Sequence, residues 1–328
     1  METATNHQNP AAGIGFILLG ILAISVNDML IKQLSGGYPL HQMVFIRSAI
    51  GIVFSLTLVQ FEGGWSILKT STPGLHLLRG VMIVLANLLF FSALAVLPLA
   101  EATAIFFVAP LMITLLSIPF LGEKVGPLRI GAVAVGLLGV VIMTRPWQSG
   151  SARDVSFVIY LLPILGALTY AINQILTRKL GARSKASAMA VYIQGVFIIA
   201  SLGFWLVAGD GRHTQGLQNE SLIFLLRAWK WPEGIDTWLF VGLGFNSAII
   251  GYSLSAAYRL ADAATVAPFE YVGLPLAIFW GWAIFGELPD PIVVAGIVLI
   301  LGAGLFVFLR ERQRNRPLIS SKRANRRL

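Results

Sequence analysis

Of 328 residues, 56% are hydrophobic and only 12% charged, against roughly 25% charged in soluble domains; this excludes a soluble globular chain and implies a polytopic membrane protein. Cysteine is absent, which excludes disulfides and thiolate metal sites. The formal net charge of +9 would suit nucleic acid in a soluble protein, but here topology accounts for it.

No basic residue precedes the first apolar run, so that run is read as a retained helix rather than a signal peptide. Apolar stretches long enough to span a bilayer, about 20 residues, lie near 13–34, 40–60, 76–97, 100–121, 127–145, 155–180, 187–208, 236–259, 263–285 and 290–309, predicting ten helices. Very short corners join helices 3 to 4 and 8 to 9. Pro127 and Pro291 open helices 5 and 10, where a missing N–H costs little. The histidines (His7, His41, His76, His213) fall in loops or at helix ends, so no His-rich site is visible.

Ten passes put both termini on one side. That side carries 17 Lys and Arg, eight of them in the tail 310–328; the other carries six (Lys32, Arg145, Arg153, Arg212, Arg227, Lys230), and Arg47 stands apart inside helix 2. By the positive-inside rule both termini are expected to be cytoplasmic. The tail reads as a disordered topological anchor able to meet anionic head groups, not as a nucleic-acid binder. The longest loop, 209–235, is then outside. Its stretch Ser221 to Trp231 is apolar, tryptophan-flanked and too short to span. It is expected to lie at the outer interface with Arg227 and Lys230 towards head groups. Asn219-Glu220-Ser221 matches a glycosylation sequon, a three-residue match read as accidental.

The chain repeats itself. Leu99-Ala100-Glu101-Ala102-Thr103 to Phe120-Leu121-Gly122-Glu123 returns as Leu260-Ala261-Asp262-Ala263-Ala264-Thr265 to Ile284-Phe285-Gly286-Glu287. Prolines interrupt each copy: Pro110 and Pro119, then Pro268 and Pro275. Asn27, Asp28, Lys32 and Leu34 also stand at a constant offset of 146 from Asn173, Gln174, Arg178 and Leu180. Five helices per half make the second half upside down, an inverted repeat of secondary-transporter type. The expected units are a terminal segment 1–12, a five-helix unit 13–145, a linker 146–154, a second five-helix unit 155–309 and the tail.

The five-plus-five plan, the proline-bearing fourth and ninth helices and the paired Gly-Glu resemble the drug/metabolite transporter superfamily, EamA type, over about 13–309. Pro268-Phe269-Glu270-Tyr271 and Gly286-Glu287-Leu288-Pro289-Asp290 look most like its bacterial branch proposed to carry S-adenosylmethionine, riboflavin and similar metabolites. The resemblance implies a central cavity lined by helices 1–4 and 6–9, with helices 5 and 10 outside it. Gly131, Gly136, Gly139, Gly296, Gly302 and Gly304 would let those two helices pack closely.

A charge at the centre of a membrane helix costs roughly 2.5–3.5 kcal/mol on the insertion scale, so Asp28, Arg47 and Glu270 each require a reason. Asp28 and Arg47 are expected in the outer third, either as an ion pair locking helices 1 and 2 or with Arg47 holding a substrate carboxylate or phosphate that Asp28 orients. Glu270 and Asp28 are the proton-coupling candidates. Tyr170, Asn173, Gln174 and Thr177 form a polar stripe on helix 6; Asn87, Tyr192, Gln194, Asn246, Tyr252 and the aromatic Tyr271, Phe106, Phe107 and Trp280 extend the binding candidates. Glu123 and Glu287 are read as fixing turns, and Glu101 and Asp262 as acidic groups at helix N-termini.

The function expected is alternating-access transport of a small amphiphilic or zwitterionic solute with no cofactor. Uptake is preferred over export, and no Walker-type loop is present for direct ATP coupling. A membrane enzyme would require a metal or a nucleophile–base constellation, which these helices do not offer. A non-transporting scaffold would leave the three buried charges without purpose. Nothing in the sequence sets an oligomeric state, and a monomer is compatible with it.

Overall fold

A computed structural model describes residues 10–122, 126–147, 155–181, 186–260 and 267–314. The described residues are 84% helical with no strand among them. The helices are α1 (Pro10–Ser35), α2 (Leu40–Glu62), α3 (Pro73–Leu94), α4 (Leu99–Phe106), α5 (Ala109–Leu121), α6 (Pro127–Thr144), α7 (Phe157–Gly181), α8 (Ala186–Ala208), α9 (Glu220–Leu226), α10 (Ile235–Leu260), α11 (Gly273–Phe285) and α12 (Pro291–Arg314). Seven spans are long and apolar enough to cross a membrane, and three further apolar stretches are shorter. Exposed side chains such as Phe61, Ile199, Leu206 and Val298 are apolar, as a lipid-facing surface requires.

Proline decides where the ladder breaks. The single helix expected over 100–121 is two, α4 and α5, because Pro110 has no N–H for the Phe106 carbonyl. The gap is bridged by tighter bonds from Val108 N to Ile105 O (3.2 Å) and Leu111 N to Val108 O (3.0 Å). The corresponding stretch of the second half starts as a 3-10 turn, Ala267–Val272, before α11. Its acidic corner (Asp262) and Glu123 lie outside the described residues. Both copies end alike, since Gly122 and Gly286 take left-handed φ of 70° and 66° and so close α5 and α11.

Four close pairings build the bundle: α1 with α10, α3 with α7, α2 with α8, and α6 with α12. The α6–α12 crossing is the tightest. A Cβ on Gly139 would sit 2.8 Å from the Gly296 carbonyl, and one on Gly296 2.7 Å from the Gly139 carbonyl. Gly136 admits Leu111, and Gly304 admits the Tyr271 hydroxyl, whereas Gly131 and Gly302 face open space. Three of the six glycines, Gly136, Gly139 and Gly296, therefore meet the partner helix as expected, and three do not.

We call the end of the bundle where α1 finishes the distal face, and the opposite end the proximal face. On the distal face the loop after α8 departs from expectation. Only Glu220–Leu226 is α-helical, with Asn219 Oδ1 accepting from Leu222 N at 3.1 Å as its cap. The segment does not lie flat with both cations outward: Lys230 is exposed as expected, but Arg227 turns in. It folds over the ends of α1–α3, burying Phe224 and donating from Ser221 Oγ to Ser92 O (2.6 Å) and from Arg227 Nη1 to Ser35 O (3.0 Å). Gln42 grips the Lys230 main chain from both sides, donating to its carbonyl (2.6 Å) and accepting its N–H (3.2 Å). Backbone groups after α9 thus find a partner on α2, and the last carbonyl of α1 finds one in the Arg227 side chain.

Candidate functional site

Three neighbouring helices bring a polar group into the bundle. Arg47 of α2 is 9% exposed; its Nη2 donates to Asn87 Oδ1 on α3 at 2.6 Å and its Nη1 to Asn27 Oδ1 on α1 at 3.4 Å. Asn27 Nδ2 in turn donates to Asp28 Oδ1 at 3.1 Å. The direct ion pair expected between Asp28 and Arg47 is not formed; the Asn27 amide stands between them. Residues 27 and 28 are separated by about 100° around the helix, and Asn27 occupies the face towards α2. The guanidinium also lies over the rings of Phe91 (5.7 Å) and Phe197 (5.4 Å), a geometry that favours a cation out of water.

From Phe91 an aromatic run leads deeper, through Phe90 (5.1 Å) and Phe106 (4.9 Å from Phe90) to Tyr170 on α7 (5.5 Å from Phe106). The Tyr170 hydroxyl accepts from Gln174 Nε2 at 2.8 Å. Glu270, in the 3-10 turn before α11, is within electrostatic reach of Tyr170 and Tyr271. Its neighbour Phe269 packs with Ile17 and Ile21 of α1, so Glu270 sits about 10–16 Å along the axis from Asp28. The charged candidates thus lie in two centres at different depths, joined by an aromatic wall.

The other candidates divide. Asn173 is buried with its Oδ1 lacking a partner among the described residues. Thr177 instead braces α7, accepting from Arg79 Nε of α3 at 2.7 Å. Gln194 packs on Gly51, Asn246 donates to the Ala23 carbonyl, and the Tyr192 hydroxyl donates to Leu68 O. Trp280 Nε1 donates to Ser25 Oγ at 3.1 Å, fastening α11 to α1. Two expectations are corrected. Tyr271 points at Gly304 of α12, away from the Arg47 group. Tyr252 is half exposed, edge-on to Phe16, about 18 Å along α1 from Asp28.

The sequence reading also missed a charged cluster on the distal face. Lys32 Nζ of α1 pairs with Glu287 Oε1 at 3.0 Å and donates to Leu97 O at 2.7 Å, while Glu287 Oε2 accepts from Leu99 N at 3.1 Å. Glu287 therefore ties α11 to α1 and the α3–α4 corner, and Gly286 alone supplies the turn it was expected to fix. Beside it Arg145 pairs with Asp290. These partners lie 145 and 255 residues apart, and no local pattern announces them.

The bundle and its buried polar group define a multi-pass helical membrane transporter, and the comparisons agree. An EamA-like transporter family model matches residues 11–145. The chain is 31% identical to a riboflavin transporter of Rhizobium johnstonii over 305 residues, 93% of this chain and 91% of the relative. It is 27% identical to an S-adenosylmethionine uptake transporter of Rickettsia felis (92% and 94% covered) and 28% identical to a pseudopaline exporter of Pseudomonas aeruginosa (88% and 93%). A solved crystal structure superposes with a TM-score of 0.60 at 20% identity, covering 92% of this chain and 99% of that one. This chain belongs to the EamA-like transporter family, within the drug/metabolite transporter superfamily. It is a transporter and not an enzyme.

Proposed function

We propose that the protein takes up a small organic metabolite by alternating access across the bacterial inner membrane, through ten passes arranged as two inverted five-helix halves. The helix pairings support that arrangement. Exchanging the halves turns α1–α10 into α7–α3 and maps α2–α8 and α6–α12 onto themselves. With both termini cytoplasmic, the distal face is outside and the basic tail lies against anionic head groups.

Buried Arg47 carries the substrate reading. Asn27 and Asn87 engage two of its five N–H donors, two aromatic rings flank it, and among the described residues no carboxylate pairs with it directly. Its remaining donors suit carbonyl, carboxylate or phosphate oxygens of a cargo whose ring lies along Phe91, Phe106 and Tyr170. Asp28 orients the group through Asn27. Glu270, deeper in, meets a cationic or donor group of the cargo or carries a proton. Relatives named for riboflavin and S-adenosylmethionine fit such a cargo, since both join a heteroaromatic ring to acceptor oxygens.

The test is thermal shift of the purified protein against riboflavin, S-adenosylmethionine, amino acids, nucleosides and lipophilic cations. A ligand at about 100 times its Kd stabilises the folded state by about 2.7 kcal/mol. A hit lost in Arg47→Gln and weakened in Glu270→Gln supports the site; a hit that survives both moves it elsewhere.

A further inference from the structure

Among the described residues the distal cluster holds three carboxylates and two cations. Glu287 has Lys32 and Asp290 has Arg145. Glu101, at the start of α4, has neither. It is 9% exposed; its backbone N–H bonds Pro98 O at 3.1 Å, but among the described residues no hydrogen bond or ion pair reaches its carboxyl. The side chain faces a cavity of about 120 Å³ lined also by Pro98, Glu287, Asp290 and Val293. Among the described residues its charged neighbours around that space are Lys32 at the end of α1, Arg145 at the end of α6, Glu287 after α11 and Asp290 before α12. A helix N-terminus alone would explain an acidic residue facing solvent, but not one that is 9% exposed and turned into a cavity beside two further carboxylates.

We propose that Glu101 is a proton-binding site that controls closure of the distal face; this builds on the alternating-access reading above. When ionised, Glu101 repels Glu287 and Asp290 and competes for Lys32 and Arg145, so the bond of α11 to α1 and α4 loosens. When it is protonated the three negative charges become two, matched to the two cations, and the ties of Lys32 to Glu287 and Arg145 to Asp290 hold the face together. The proton is taken from the distal medium, and the carboxyl returns to its ionised form when the face opens. A proton fits better than a metal cation, because among the described residues no three acidic or histidine side chains converge closely enough to hold one. The sequence repeat sets Arg178 and Glu123 at the positions corresponding to Lys32 and Glu287; Glu123 and the Arg178 side chain lie outside the described residues.

The natural absence of cysteine makes this testable in the full chain in proteoliposomes. Ala100→Cys places one thiol beside the cavity at a buried position (3% exposed), and Trp231→Cys places one on the same face at an open position (89% exposed). Thiolate chemistry depends on pH by itself, so labelling of the first by a membrane-impermeant maleimide is divided by that of the second. The ratio is expected to fall roughly tenfold as pH is lowered from about 8 to about 4, across the carboxyl titration range, and to stay low at every pH once Glu101→Gln is added. An unchanged pH profile in Glu101→Gln, or a flat profile in its parent, overturns the proposal. Should Glu101→Gln not accumulate, Lys32→Gln serves: it is expected to give a high, pH-independent ratio, and a retained profile overturns the proposal equally. A cargo thermal shift that persists with a flat profile refutes only the proton site. A profile without any cargo shift refutes the cargo reading instead.

Discussion

Arg47 shows what a single residue can and cannot reveal in advance. Its charge inside an apolar run is legible, and so is the need for partners. Which atoms answer is not, because that depends on the rotation of α1, and one step separates Asn27 from Asp28. The planar guanidinium serves Asn27 and Asn87 while lying over two rings, which the lysine ammonium cannot reproduce. Arg47→Lys is therefore expected to accumulate in membranes yet lose at least roughly tenfold in cargo affinity, about 1.4 kcal/mol, read by thermal shift or uptake. Asn87→Ala removes a hydrogen bond to a buried cation and should lower stability by about 1.5–3 kcal/mol, measured by denaturation in detergent. Wild-type stability would show that Arg47 finds another partner.

At the scale of elements, the hydropathy pattern locates the apolar runs well and their interruptions poorly. Pro110 is visible in the sequence, but hydropathy reads 100–121 as one continuous run, and the proline divides it because the Phe106 carbonyl is left without its donor. Gly304 was expected to serve helix against helix; it serves a tyrosine, whose hydroxyl would lie 1.9 Å from an added Cβ. Gly304→Ala should consequently cost about 1–3 kcal/mol as overpacking does, and Tyr271→Phe should recover only part of it, since the ring Cζ would still lie 2.5 Å from that Cβ. A double variant no more stable than Gly304→Ala alone would place the strain elsewhere. Gly139→Ala meets main chain instead of a flexible side chain, so no single partner change is expected to rescue it.

For the whole molecule, composition and the internal repeat anticipate an all-helical membrane bundle, and the bundle is built by pairing helices from opposite halves. What they leave out is the wiring of the distal face, where Lys32, Arg145, Glu287 and Asp290 meet across most of the chain length. At Asp290 burial opposes ionisation, but the Val293 and Ile292 N–H groups and Arg145 outweigh it and hold the carboxyl below its ordinary range. A carboxyl lowered on folding stabilises above its unfolded pKa, near 3.9, and that contribution fades as pH falls through the folded value. Asp290→Asn should accordingly lower Tm near neutrality, with the gap to wild type narrowing below about pH 4. A gap of equal size at every pH would assign the effect to lost packing or capping.

The grip of Gln42 on residue 230 has a consequence for how this loop tolerates change. Only main-chain atoms of Lys230 are held, so the side chain there is free to vary while the fastening persists. Lys230→Ala and Lys230→Glu should be nearly silent in stability. Lys230→Pro removes the N–H that Gln42 accepts and should release one side of the clasp, seen as faster proteolysis between α9 and α10. The segment covering the distal face is thus anchored by its backbone and open to drift in its side chains.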